Sequence, residues 1–290
     1  MVTDPAHDFP ANAEQAAYWN ELTGPKWVQH QVAIDRRLEP LNAILSERGA
    51  IAKGQQVMDL GCGTGALALH LAERVGPGGA VLGVDLSAPM LALAERRRDE
   101  GDYAQLRLRQ LDAQTHAFDP GAFDALASRF GVMFFSDPVA AFGNLWRALR
   151  PGGRLAFVSW APIEANPWFE IPMAIGVRWL GPPDPQPPRA PGPFAFSEPA
   201  YVRHILSAAG FADVAIELLA TVLPGAKSAA DEAEFVQNMG LLARLIRERE
   251  PDAPTVRRIV AEIAERFRPF ETDAGVRVPA SVHCVTAVRP

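Results

Sequence analysis

Between residues 56 and 159, short apolar runs alternate with stretches whose apolar residues recur every three to four positions. A continuous apolar run of about five residues suits a strand buried on both faces, and the longer periodic stretches suit amphipathic helices. Strands are predicted at 56–60, 80–85, 106–110, 123–128 and 154–159. Helices are predicted between them at 65–75, where Leu67, Leu71 and Val75 step by four, at 89–100 with Ser87 as N-cap, and at 139–149. Alternation of this kind marks βα units around a parallel sheet.

Outside this stretch the pattern changes. Residues 13–48 read as helix, with Ile34, Leu38, Leu41 and Leu45 on one face and Pro40 positioned to kink or restart it. From Trp160 to Phe196 runs a long connection with seven prolines between Pro182 and Pro193, a run that excludes regular helix and central strand. A helix is predicted at 198–209 and a strand at 214–223. Residues 229–270 then carry two amphipathic faces, one of Phe235, Met239, Leu242 and Ile246 and one of Val256, Ile259, Ile263 and Phe267, so two helices are expected. A closing strand is expected at 275–288.

Composition narrows the function classes. The chain of 290 residues carries 28 basic and 34 acidic side chains, a formal charge of −6. Such a balance argues against nucleic-acid binding and offers no polybasic footing on a membrane. The first ten residues lack the charged start and apolar run of a signal peptide, and no apolar stretch is long enough to span a bilayer, so a cytoplasmic protein without integral membrane association is expected. Cys62 and Cys284 are the two cysteines, and the six histidines show no paired spacing, so no metal site is expected.

The sharpest feature is Asp59-Leu60-Gly61-Cys62-Gly63-Thr64-Gly65, between a predicted strand and a predicted helix. Glycines there let the backbone turn tightly and approach a ligand, while the helix start offers unpaired N–H groups. Gly61, Gly63 and Ala66 also satisfy a dinucleotide fingerprint, and Asp85 stands where it can hold a ribose diol, so the loop alone admits both NAD and an adenosyl ligand. Asp59 opposes a pyrophosphate but suits an ammonium. Asp112, ending the third strand region, is placed to accept from an exocyclic purine amine.

Taken with Leu149-Arg150-Pro151-Gly152-Gly153-Arg154-Leu155, these residues resemble the class I S-adenosylmethionine-dependent methyltransferases, within them the menaquinone and ubiquinone C-methyltransferase-like small-molecule group. The resemblance implies an α/β fold: a doubly wound, mostly parallel, seven-stranded Rossmann-like sheet with helical cap insertions. It places a lid at 1–50, the cofactor core at 51–160, a Pro-rich cap segment at 161–197, the rest of the sheet at 198–228 and 271–290, and a helical cap insertion at 229–270. It implies S-adenosyl-L-methionine as cofactor, with Gly61, Cys62, Gly63 and Gly65 around the methionine part and ribose and Asp59 near the ammonium. Asp85 would hold the ribose hydroxyls, Leu86 and Met90 the adenine face, and Asp112 and Ala113 the adenine edge. Ser128, Arg129 and Phe130 would line the methionine end and the mouth of the acceptor pocket.

Arg129 and His116 are the candidates for a catalytic role, and each has an ordinary structural alternative as an internal ion pair or a loop histidine. Tyr18, Trp19, Trp27, Phe134, Trp160 and Trp168 are the candidates for the acceptor site and its lid. The expected reaction is methyl transfer by direct displacement to a small aromatic or enolisable acceptor, and a homodimer is compatible with it. An NAD(P)-dependent oxidoreductase and a non-catalytic S-adenosylmethionine sensor or subunit are the alternatives. The family usually joins its last two strands by a short hairpin, so the roughly 40 residues inserted here are a departure.

Overall fold

The computed structural model describes residues 9–290. Positions 1–8, including part of the expected lid, lie outside the described residues. The sheet runs in the order β3-β2-β1-β4-β5-β8-β6, with β1 Gln56–Leu60, β2 Ala80–Asp85, β3 Leu106–Gln110, β4 Phe123–Arg129, β5 Leu149–Trp160, β6 Ala212–Pro224 and β8 Gly275–Val288. A two-residue strand, β7 Glu271–Thr272, pairs only with β8. The first five strands are parallel, in register Val57 opposite Val81 and Ala125. β8 runs against β5: Gly152 and Gly153 exchange hydrogen bonds with Arg289, while Ala161 further along β5's path pairs with Ser281. This is the expected doubly wound α/β sheet with one antiparallel strand.

Order reverses between β1 and β4, so the loops after these strands diverge and leave a crevice at their carboxyl ends, where open α/β sheets bind ligands. Helices α5 Ala66–Val75, α6 Ala88–Glu100 and α7 Pro138–Ala148 connect the strands. Leu67, Leu71 and Val75 of α5 are buried, as their spacing requires.

The chain divides into two compact units. The first comprises residues up to Ser159 with 189–218 and 283–290. Its N-terminal part is a series of short helices, α1 Ala13–Ala17, α2 Thr23–Gln29, α3 Gln31–Leu38 and α4 Pro40–Arg48, with a π-helical turn at Tyr18–Leu22. Pro40 takes the first position of α4, where no intrahelical N–H is needed, and so restarts the helix as expected.

The second unit comprises 160–188 and 219–282. Here α8 Pro167–Leu180 and α10 Ala229–Asn238, α11 Gly240–Arg249 and α12 Ala253–Phe267 enclose a core of Ile171, Ile175, Val236, Leu242, Ile259, Ile263 and Phe267. One expectation is corrected and one helix is added, while the proline run 182–193 forms neither helix nor strand, as expected. Residues 229–270 form three helices, because Gly240 at φ +76° breaks the first apolar face. The long connection after Trp160 contains a 14-residue helix with Pro172 inside it. Pro172 gives up one intrahelical hydrogen bond, and burial of Phe169, Ile171 and Ile175 on that helix offsets the loss.

Candidate functional site

Three left-handed glycines shape the loop after β1: φ is +66° at Gly61, +55° at Gly63 and +89° at Gly65. Gly61 and Cys62 both donate to the Val84 carbonyl, at 2.9 and 3.0 Å, which folds the loop over the end of β2. A Cβ on Gly61 would stand 2.7 Å from Gly131 Cα, so two backbones meet here with no room for a side chain. Gly131 was not among the expected site residues, and its only signal is its place directly after the fourth strand. Ser128 Oγ ties the two loops together, donating to Leu60 O at 2.7 Å and accepting from Gly131 N–H at 3.1 Å. Phe130 is buried and left-handed at φ +68°, a costly conformation for a bulky residue that aims the chain into Gly131.

Asp59 ends this arrangement with an open valence. Asp59 is 1 % exposed, and among the described residues neither carboxyl oxygen has a hydrogen-bond partner within range. Burial pushes it up to about 7, against the pull of the Arg129 guanidinium and with the push of Asp85. The Ala68 backbone N–H gives only a small opposing pull, and a buried carboxyl so weakly supported is costly to ionise unless a cation arrives. Arg129 is itself committed: Nη1 donates to Asn42 Oδ1 at 3.0 Å, and Nη2 lies 3.8 Å from Asp35 Oδ1. Asp35 also pairs with Arg97 at 2.8 Å, and Arg97 donates to the Thr64 carbonyl at 2.6 Å, so helix α3 is bound electrostatically to the glycine loop.

At the end of β2, Asp85 receives Gly63 N–H on Oδ2 and Ser87 N–H on Oδ1, each at 2.8 Å. Desolvation raises its pKa and these backbone donors oppose the rise. A carboxylate oriented by backbone donors in this way is suited to accept from the vicinal hydroxyls of a ribose. Leu86 follows, its carbonyl held by Asn20 and Gln110 side chains, and Met90 places its methyl against Gly63. Cys62 is buried, with its thiol pushed up chiefly by burial, so it acts as a small packing group.

At the end of β3, Asp112 is 4 % exposed and accepts from Gln114 N–H, Asn12 Nδ2 and Thr115 Oγ1. The neighbouring Ala113 N–H makes no hydrogen bond among the described residues, leaving a donor beside the carboxylate. A cavity of about 440 Å³ opens here, lined by Phe9, Arg109, Gln110, Leu111, Asp112, Thr115, His116 and Ala117. His116 turns its ring edge-on to Phe118 in the chain returning to β4.

Four of the expected lid aromatics form one cluster. Trp19 meets Tyr18, Trp27 and Phe134 edge-to-face, with centroids 5.4, 6.0 and 5.0 Å apart. Polar latches hold this segment to the loop after β2: Ser87 Oγ donates to Trp19 O at 2.8 Å, and Ala88 N–H to Asn20 Oδ1 at 2.9 Å. Trp160 and Trp168 belong to the second unit, where both pack edge-on against Phe169 and Trp168 Nε1 donates to the fully buried Glu232 at 2.6 Å. Among the described residues no three His, Cys, Asp or Glu side chains converge as metal ligands, and no helix is long and apolar enough to cross a membrane.

Among the described residues this geometry is compatible with S-adenosylmethionine: a buried carboxylate without a hydrogen-bond partner within range, a loop of glycine backbone without side chains, a carboxylate oriented by backbone N–H groups, and a carboxylate beside an unengaged N–H. Residues 57–153 match the family model of a methyltransferase domain. The demethylmenaquinone methyltransferase of Thermus thermophilus is 44 % identical over 108 residues, 37 % of this chain and 48 % of that protein. The nocamycin O-methyltransferase of Saccharothrix syringae is 32 % identical over 169 residues, 56 % of this chain and 60 % of that protein. The chain thus spans about half to three-fifths of these relatives' length. Among solved structures, the YcgJ protein of Bacillus subtilis superposes with a TM-score of 0.54 over 86 % of this chain and 97 % of its own, at 16 % identity, a likeness of fold. Residues 57–153 thus match a methyltransferase domain, and the strand order built around them is that of the Rossmann-like methyltransferase fold.

Proposed function

We propose that this chain methylates a small aromatic or enolisable acceptor. The carrying observation is Asp59, buried and, among the described residues, without a hydrogen-bond partner within range for its carboxyl oxygens, beside a guanidinium already bound elsewhere. A pyrophosphate in the glycine loop would meet that carboxylate with like charge, whereas an ammonium would complete it. When bound, S-adenosylmethionine would supply a sulfonium methyl: the acceptor's electron pair forms the new bond as the sulfur–methyl bond breaks, S-adenosylhomocysteine leaves, and the acceptor's proton passes to solvent.

The residues' part is to bind, orient and exclude water. Asp59 would hold the ammonium, Asp85 the ribose hydroxyls, and Asp112 with the Ala113 N–H the adenine edge, fixing the cofactor at three points. Holding both reactants in line supplies much of the acceleration such a displacement needs. Tyr18, Trp19, Trp27 and Phe134 would supply aromatic edges and faces for a flat apolar acceptor and a cationic sulfur. No free base is required if the acceptor is already acidic, as a phenol, quinol or enol is. Arg129, engaged with Asn42 and Asp35, would act by fixing the charge beside Asp59. The names of the two relatives, for demethylmenaquinone and nocamycin, support a small organic acceptor.

The test is transfer of a labelled methyl from S-adenosylmethionine to panels of quinols, phenols, enols and amines. Label should enter a quinol, phenol or enol. Cofactor binding with no transfer to any panel member would favour a sensor role and overturn the proposal.

A further inference from the structure

Asn12 stands at the N-cap of α1, where an asparagine side chain ordinarily turns back to accept from the first helical N–H groups. It makes no such bond. Instead Nδ2 donates to Asp112 Oδ2 at 2.7 Å, across one hundred residues of sequence, and Oδ1 accepts from Ser136 N–H at 3.0 Å. The side chain is 4 % exposed, and Ser136 Oγ holds the adjacent Ala11 carbonyl at 2.9 Å. Its amide can sit only one way round, because a carboxylate only accepts and a backbone N–H only donates.

A carboxylate offers about four acceptor positions. On Asp112, Asn12 and Thr115 take those of Oδ2, and Gln114 N–H takes one of Oδ1. Among the described residues one position remains, on Oδ1. We infer that Asn12 is a positioning residue for cofactor recognition: it fixes the Asp112 carboxylate so that its single vacant acceptor position selects an exocyclic amine on the purine. The inference rests on the proposed cofactor reading and adds to it a residue from the N-terminal segment that sets base discrimination. A purine carrying a carbonyl in place of the amine would present a lone pair to that position and be rejected.

The experiment is calorimetric binding of S-adenosylhomocysteine and of S-inosylhomocysteine, in which a carbonyl replaces the amine, to the parent, Asn12→Ala and Asn12→Asp. The parent should prefer the adenine form by at least about tenfold, the scale of one hydrogen bond to a charged group. Asn12→Ala should weaken S-adenosylhomocysteine about tenfold and leave S-inosylhomocysteine within about twofold, so that discrimination collapses. Asn12→Asp keeps an acceptor for Ser136 but offers Asp112 no donor, and should lose discrimination at least as fully. Retained binding of the inosine form reports that the variants are folded. Equal weakening of both ligands would show that Asn12 merely anchors the segment, and unchanged discrimination would show that it does nothing to Asp112; either overturns the inference. A parent that binds neither ligand overturns the cofactor reading itself.

Discussion

Replacing Asp59 by asparagine separates the cost of this carboxylate from its use. Its pKa in the folded protein is about 7 against an ordinary 3.8, because burial outweighs the attraction of Arg129. The folded state therefore holds the proton more tightly than the unfolded chain, and the stabilisation it brings is complete below about pH 4 and lost as pH rises through about 7. Proton affinity thus rises by roughly three powers of ten, and at about 1.4 kcal/mol for each the ionised form costs up to about 4 kcal/mol at about pH 8. Asparagine carries no charge to desolvate. The Asp59→Asn variant without cofactor should thus be more stable than the parent at about pH 8, and the gap should close towards about pH 4. Urea unfolding across this range reads the midpoint directly, with the slope as control. The same substitution should weaken S-adenosylmethionine by at least about tenfold, since the ammonium loses its charged partner. A variant less stable than the parent at alkaline pH, or one binding the cofactor undiminished, would refute the reasoning.

Three further outcomes follow from the same contacts. In the parent, apparent cofactor affinity should fall as pH drops below about 7, by up to about tenfold per pH unit, because the proton on Asp59 must leave first; titration calorimetry across pH checks it, and the Asp59→Asn variant should lack that limb. Gly131→Ala would drive a methyl into the Leu60 carbonyl, a clash of side chain with backbone that should cost about 1–3 kcal/mol in denaturant unfolding and weaken cofactor binding by displacing the glycine loop. Trp168→Phe keeps the aromatic contact with Phe169 but leaves the buried Glu232 Oε1 without its indole donor, and should cost about 1–3 kcal/mol of stability by the same assay.

The cofactor core was legible because its signals are local. Each strand is a short apolar run, and a glycine with positive φ or a carboxylate at a strand end keeps its meaning whatever surrounds it. Asp85 shows the limit of that reading. Its position was legible, but not that Gly63 and Ser87 N–H groups already orient it. Arg129 followed the same course: a cation after the fourth strand was visible, while its engagement by Asn42 and Asp35 depends on how α3 and α4 fold back. Asn12 was invisible, since a polar residue one hundred positions from its partner carries no pattern. In the second unit, tertiary burial overrode local preference at Pro172, and Gly240 split a helical face that periodicity alone had joined.

Calorimetry of the parent protein with S-adenosylmethionine and, separately, with NADH at neutral pH tests the central claim most directly. The geometry of Asp59, Asp85 and Asp112 predicts saturable binding of S-adenosylmethionine and none of NADH. Saturable binding of NADH with none of S-adenosylmethionine would contradict it.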